Sequence, residues 1–261
     1  MMRRLFSKLP LRVSAPLLLL LPVVIVVAVL LSIALAQGRK AAGQQARDQL
    51  LEIHDRINDR VGELLRTPAR VNRVNAALIV EKRLGLADLR AWKEYLFEQA
   101  QAFDMLSGIM FGGADGRVVW MFRYPGKRGY EFGIRDEATG EDVCEYRVDD
   151  GGQTSLEPVG RYAYDPRKRP WYRDAAAAGK PHWTEYAWVN EDGSEVTWGL
   201  ALAEPYYDDT GRLVGVLDSE LSLHDISRFL GSLEIGRTGL AFLMDRDGSL
   251  VANSVGAAVE N

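Results

Sequence analysis

The longest apolar run of the sequence lies near its N-terminus, where residues 15–36 carry no charged side chain. A helix of about 20 apolar residues is long enough to cross the hydrocarbon core of a bilayer. Four basic residues precede this run and mixed charges follow it. The positive-inside rule therefore predicts a cytoplasmic N-terminus at residues 1–12, a transmembrane helix at residues 13–37, and a remainder that lies outside the cytoplasm.

A second interpretation of the same run is a cleaved signal peptide. The sequence Ala34-Leu35-Ala36 has the small-residue pattern of a signal-peptidase site. The apolar run is, however, longer than the roughly 7–15 residues of an ordinary signal peptide. We therefore favour an uncleaved signal anchor, and both interpretations export the rest of the chain.

Helical periodicity follows the apolar run. Between residues 41 and 65, apolar positions recur at steps of three and four, which predicts one apolar stripe along a helix; they are Leu50, Ile53, Ile57, Val61 and Leu64. The dipeptide Thr67-Pro68 predicts a kink or an end, after which helical spacing continues to residue 102. Residues 38–102 are therefore a predicted extracytoplasmic helical region. Its stripe could face a second copy of the chain, as in a homodimer, or the globular domain, or both.

After Phe103 the pattern changes to the period of β-strands. Glycine and acidic residues separate short apolar runs, as expected for hairpins. Ser222 with Asp225 predicts a capped helix over residues 226–233. The predicted strands are residues 106–111, 117–123, 130–134, 144–148, 183–189, 195–207, 213–221 and 240–244, with turns at 190–193 and 245–248. The fold class is therefore α+β, with an antiparallel sheet and flanking helices.

Composition excludes some functions and leaves others open. The 261 residues include 32 basic and 36 acidic side chains, a balance of −4 that does not indicate nucleic-acid binding. The single cysteine, Cys144, excludes an intrachain disulfide and a zinc site built on several thiolates. The sequence predicts no metal and no cofactor.

Catalysis is not expected in this part of the chain. His54, His182 and His224 are dispersed along the sequence, and no nucleophile or metal-ligand motif accompanies them. Any catalytic output domain is expected beyond residue 261.

Residues 164–172 combine three cations, one carboxylate, two prolines and three aromatic rings. The prolines favour a stiff entry into a helix, whose N-terminus can face an anion. Arg169 offers the donor geometry that fits a carboxylate, and Trp171 and Tyr172 could wall a small ligand. The alternative is that both rings belong to the core and the basic residues are solvated.

These residues also carry a family resemblance. Residues 164–172, followed by residues 183–186, 196–205 and 211–217, resemble the signature of double Cache domains, the extracytoplasmic ligand-binding domains of bacterial receptors. The resemblance extends from about residue 40 to the end. It implies a PAS-like, membrane-distal module with the ligand pocket at residues 103–233, and the start of a second, membrane-proximal module at residues 234–261.

The binding pattern of the amino-acid-sensing members matches this chain in part. Trp188 stands where that pattern has an aspartate, whereas Glu220 occupies the position of its last-strand acid. Period-two alternation places Asp218 on the same strand face as Glu220. The resemblance thus implies these ligand-binding residues: Tyr164, Arg169, Trp171, Tyr172, Tyr186, Trp188, Asp218 and Glu220.

The expected function is that of the ligand-sensing part of a receptor in the inner membrane, with its sensor domain in the periplasm or outside the cell. With the anion site intact and the amine site altered, the expected ligand is a small carboxylate or an amino-acid-like molecule. The alternative is a membrane-anchored adaptor that binds no small molecule. A cavity of about 300 Å³ or more beside Arg169, lined by Trp171 and Tyr186, distinguishes the sensor from the adaptor.

Overall fold

The structure is a computed structural model, and it describes residues 11–123, 128–189, 196–233, 235, 239–244, 247–248 and 250–255. The chain divides into two compact units, Met1–Asn58 and Asp59–Asn261. The second unit contains the sheet and the motif of residues 164–172.

Helix α1 spans Leu11–Val80 and carries the apolar run. Its apolar side chains from Leu20 to Leu35 are exposed, so this segment has no protein core to pack against in the described chain. By length and composition it is a helix that can cross a membrane.

Of the kink or end predicted at Thr67-Pro68, the end is wrong, because α1 continues through it to Val80. A proline inside a helix removes one hydrogen bond. Tertiary contacts that the sequence pattern does not reveal compensate for this loss, since Asn72, one turn later, is fully buried and bonded to the sheet. The helical prediction also misses the turn after Val80, where Lys82 has a φ of 58°. Helix α2 then spans Lys93–Ala102.

The core of the second unit is an eight-stranded antiparallel sheet in the order β5-β4-β3-β2-β1-β8-β7-β6. Its strands are β1 Gly108–Gly113, β2 Val118–Phe122, β3 Tyr130–Arg135, β4 Asp142–Val148, β5 Gly160–Ala163, β6 His182–Val189, β7 Val196–Tyr207 and β8 Leu213–Ser222. Helix α3 (Pro170–Ala178) joins β5 to β6, and α4 (Leu223–Gly231) follows β8. The strands β9 (Phe242–Met244) and β10 (Leu250–Asn253) form a separate pair.

Both faces of the large sheet are covered. On one face the Trp92 ring contacts the Phe111 ring, with centroids 5.2 Å apart, and Asn72 of α1 donates to the Leu202 carbonyl at 2.7 Å. On the opposite face α3 packs on a core of large side chains; its members include Met110, Trp120, Phe122, Trp171, Tyr172 and Ala175. The candidate site lies on the α3 face.

The structure confirms the α+β class and the antiparallel hairpins. Ser222 caps α4 as predicted, since its Oγ accepts the Asp225 amide at 3.0 Å. Strand β5 was not predicted, because its four residues lack an apolar alternation. The predicted turn at residues 190–193 lies outside the described residues, as do parts of the segments at 234–238 and 245–249.

Candidate functional site

The motif of residues 164–172 begins with a local ion pair. Arg167 donates through Nε and Nη2 to the two oxygens of Asp165, at 2.9 and 2.8 Å. Asp165 Oδ1 also accepts the Arg167 amide at 3.0 Å. The hydrogen bond from Arg167 lowers the pKa of Asp165 to about 2. The guanidinium of Arg167 is therefore already paired with Asp165.

Arg169 is placed differently. It is the residue just before Pro170 and caps the N-terminus of α3. Its backbone is extended, with φ −84° and ψ 145°. It is exposed, and its guanidinium lies 5.5 Å from the centre of the Tyr164 ring. Within the described part of the chain, this guanidinium has neither a hydrogen bond nor an ion pair, so a ligand anion can approach it.

Trp171 and Tyr172 anchor the start of α3 on strand β1. Both are buried, at 4% and 5% exposure. A Cβ on Gly112 would lie 2.7 Å from the Trp171 ring and 3.2 Å from the Tyr172 ring, so glycine lets both rings reach the strand. The Trp171 indole also donates to the Tyr164 hydroxyl at 3.4 Å. These contacts hold the aromatic wall next to Arg169.

A cavity of about 590 Å³ opens beside this wall. Its lining joins the motif to the α3 face of the sheet. The lining residues are Met110, Trp120, Phe122, Glu145, Tyr162, Ala163, Tyr164, Arg169, Pro170, Trp171, Glu185, Tyr186, Ala187, Trp198 and Glu220. The volume exceeds the 300 Å³ that distinguishes a sensor pocket from a filled centre.

Two carboxylates lie side by side on strand β8. Asp218 is fully buried and Glu220 is 2% exposed. Both oxygens of Asp218, and Oε2 of Glu220, lack a hydrogen-bond partner among the described residues. Burial raises the pKa of Asp218 to about 7. Burial, followed by the charge of Asp218, raises the pKa of Glu220 well above its ordinary value.

Tyr186 closes the cavity on the β6 side. Its partner across the strands is Gly199, and a Cβ there would lie 2.2 Å from the Tyr186 hydroxyl. Because Gly199 has no side chain, the Tyr186 phenol can lie directly over β7. Tyr186 and Glu220 influence each other's pKa, so the two groups are close neighbours.

The structure brings five of the eight predicted ligand residues to the cavity wall, namely Tyr164, Arg169, Trp171, Tyr186 and Glu220. Tyr172 instead packs in the core, which agrees with the alternative given above for this ring. Asp218 lies beneath the wall beside Glu220. The side chain of Trp188 is outside the described residues, although its backbone pairs with Thr197.

Sequence reasoning missed most of the wall that the first five strands supply. Trp120, Glu145 and Tyr162 line the cavity, but they were not predicted to contribute to the site. Alternation along each strand could have placed Trp120 and Phe122 on one face. The sequence did not reveal that this face is shared with Glu145, because that depends on strand register.

Comparison with known proteins shows what the domain is similar to. Residues 119–228 match the model of the methyl-accepting chemotaxis protein-like, first PDC sensor domain. The chain is 36% identical over 90 residues to methyl-accepting chemotaxis protein PctB of Pseudomonas aeruginosa. It is 34% identical over 91 residues to McpA of Pseudomonas putida. Each match covers 34% of this chain and 14% of the relative, so the matched segment is a small part of those proteins.

A solved structure supports the fold. The protein described as methyl-accepting chemotaxis protein X superposes with a TM-score of 0.52 at 19% identity, covering 78% of this chain and 72% of its own. The family match, the sequence relatives and the shared fold agree with one another. Over residues 119–228 the chain is thus similar to a sensor domain of methyl-accepting chemotaxis receptors, which agrees with its resemblance to double Cache domains.

Proposed function

We propose that this chain is the extracytoplasmic, ligand-sensing part of a bacterial transmembrane receptor. In this proposal the distal module binds a small carboxylate or an amino-acid-like ligand, and α1 carries the signal to the membrane. The observation that supports it best is the cavity of about 590 Å³ with a guanidinium at its rim and buried carboxylates in its wall. An adaptor without a ligand would be expected to have a filled centre.

The chemistry of the wall suits a zwitterion. A ligand carboxylate can accept charge-assisted hydrogen bonds from Arg169, and the Tyr164 ring orients that guanidinium. A ligand ammonium can donate to Glu220, whose Oε2 lacks a partner among the described residues. Buried charged groups are costly unless they are paired, so an amine that pairs with this acid is favoured there.

Calorimetry tests the anion site. The full chain, purified in detergent, is titrated with a panel of amino acids and small organic carboxylates. Replacing Arg169 by alanine should weaken binding about 10- to 100-fold, because hydrogen bonds to a charged group contribute about 1.5–3 kcal/mol. The matched control is Arg173→Ala, which removes an exposed guanidinium from the same helix, where it pairs with Asp174 at 3.2 Å. Binding that survives Arg169→Ala unchanged contradicts this site.

The proposal also includes a homodimer formed along α1. Leu50 and Leu51 are 65% and 61% exposed, as expected for positions that face another chain. Cysteines placed at Leu50, Ile53 and Ile57 should cross-link two copies in membranes, with a pattern that changes when ligand is added. A ligand can shift the equilibrium between two helix arrangements only if it binds them with different affinities. Identical patterns with and without a ligand that binds would remove the signalling part of the proposal.

A further inference from the structure

A row of three aromatic rings lines one wall of the ligand cavity. The Tyr164 ring meets the Trp120 ring edge-on, with centroids 5.1 Å apart, and the centroids of the Trp120 and Phe122 rings are 5.8 Å apart. These residues, Tyr164, Trp120 and Phe122, are the ring row. The Arg169 guanidinium lies 5.5 Å from the centre of the Tyr164 ring. The ring row therefore begins at the proposed carboxylate site.

The other end of the ring row lies next to the proposed amine site. Gly108 of β1 pairs with Phe122 on one side and with Glu220 on the other. A Cβ on Gly108 would overlap the Phe122 ring, so this ring covers β1 at Gly108. Neighbouring strands are about 4.8 Å apart, so the ring lies about one strand spacing from the Glu220 backbone. A ligand that reaches from Arg169 to Glu220 therefore lies along the ring row.

The surface along the ring row is mainly apolar. Met110 lies between Trp120 and Asp218 in the sheet, and it is a buried residue of the cavity wall. The nitrogen edge of the Trp120 indole lies over β3, and the Tyr164 hydroxyl accepts the Trp171 indole at 3.4 Å. A polar side chain on this surface would lose hydrogen bonds to water without equivalent replacements. An apolar side chain would instead be stabilised by its burial.

The acid at the far end of the cavity does not change this preference. Beyond the ring row, Glu145 of β4 accepts the Tyr162 hydroxyl at 2.6 Å, so this carboxylate has a partner within the protein. The size of the cavity also favours a large side chain. A ligand without a side chain would leave much of the cavity of about 590 Å³ unfilled. The ring row would then lack the contacts that a well-filled pocket makes with its ligand.

We infer that the ring row, together with Met110, forms a specificity subsite for a large apolar side chain of the ligand. The ligand class is then an α-amino acid whose side chain is aromatic or branched aliphatic. This inference rests on the proposed function, because it assumes that the α-carboxylate lies at Arg169 and the α-amine at Glu220. The side chain has a short distance to cross, since the Phe122 ring covers β1, the strand next to Glu220.

Matched ligand pairs test the subsite by calorimetry on the full chain in detergent. L-asparagine has nearly the shape of L-leucine with a polar side chain, and L-alanine is L-phenylalanine without its ring. The wild-type protein should bind L-leucine and L-phenylalanine about tenfold or more tightly than their partners, as expected when a large apolar side chain is buried. Met110→Gln keeps the length of the side chain but makes it polar, so the preference for L-leucine over L-asparagine should fall at least about threefold.

Controls separate this inference from the proposed function. Met121→Gln makes the same change at a buried position on the opposite face of β2, and it should preserve both preferences. L-lysine that binds more tightly than L-norleucine would overturn the subsite, because the rings would then hold a cation.

The outcomes are distinguishable. If the ligands bind in an Arg169-dependent manner without an apolar preference, or if the preference survives Met110→Gln, the subsite is wrong and the proposed receptor function stands. If no amino acid or carboxylate binds at all, both fall. Should Met110→Gln fail to fold, the wild-type ligand ratios still decide, because equal affinities for L-leucine and L-asparagine overturn the subsite.

Discussion

Replacing Asp218 by asparagine should change how the stability of the ligand-free protein depends on pH. Burial raises the pKa of Asp218 to about 7 in the folded chain, against about 3.9 in an unfolded chain. Between these values the folded state holds a proton that the unfolded state has lost. The free energy of unfolding therefore falls as pH rises from about 4 to about 7, and it levels off above that range.

The size of the effect follows from the pKa shift. About three pKa units correspond to roughly 4 kcal/mol over the whole range. Roughly 3 kcal/mol of this falls between pH 5 and pH 8. In a unit of about 200 residues, 1 kcal/mol shifts the melting temperature by about 2–4 °C, so the expected decrease is about 6–12 °C. Glu220, whose pKa is raised by burial and by the charge of Asp218, acts in the same direction.

Differential scanning calorimetry of the detergent-solubilised chain at pH 5 and pH 8 measures this decrease. Asp218→Asn should reduce it by at least half, because the variant has no proton to lose at this position and relieves the repulsion on Glu220. Asp208→Asn is the matched control: hydrogen bonds, first from Thr210, lower the pKa of Asp208 to about 2, so it stays ionised throughout. A wild-type melting temperature that does not fall between pH 5 and pH 8, or an unchanged slope in Asp218→Asn, refutes the reasoning.

Two further substitutions test the packing that supports the site. Asn72→Ala should destabilise the protein by about 1–3 kcal/mol in thermal unfolding, because it leaves the buried Ser219 hydroxyl without its acceptor and removes the bond to the Leu202 carbonyl; an unchanged unfolding free energy would contradict this. Gly133→Ala should cost about 1–3 kcal/mol and weaken ligand binding, because the new Cβ would lie 2.0 Å from the Trp120 indole in the cavity wall. Gly85→Ala, where nothing lies within 4 Å of the added Cβ, is its control and should leave both stability and binding unchanged.

Local signals in the sequence predicted much of the fold. Glycine turns and alternating apolar positions marked the hairpins, and Ser222 marked the start of α4 because a cap is a contact between near neighbours in the chain. The motif around Arg169 was visible for the same reason, since Pro170 fixes the start of α3 within a few residues. The prediction failed at Pro68, where contacts from distant strands override a local helix-breaking signal.

The far end of the cavity could not be predicted in the same way. Glu145 and Trp120 face one space only because β2, β3 and β4 pair in a particular register. A slip of one residue would turn Glu145 to the opposite face of the sheet. The alternation within one strand does not determine how that strand pairs with its neighbours. The sequence therefore gave no sign that Glu145 differs from other charged residues.

Strand β8 carries the buried polar groups that support the proposed ligand site. Four of its last five residues are polar and buried: Asp218, Ser219, Glu220 and Ser222. The two serines have partners within the protein, since Ser219 donates to Asn72 at 2.7 Å and Ser222 donates to Asp225 at 2.7 Å. The two acids, Glu220 in the cavity wall and Asp218 beneath it, retain oxygens without hydrogen-bond partners among the described residues. A buried polar group without a hydrogen-bond partner destabilises the fold. Natural proteins retain such groups mainly at functional sites. A ligand amine would supply the missing donor. Because it would bind only the folded protein, its binding would also raise the free energy of unfolding of the sheet.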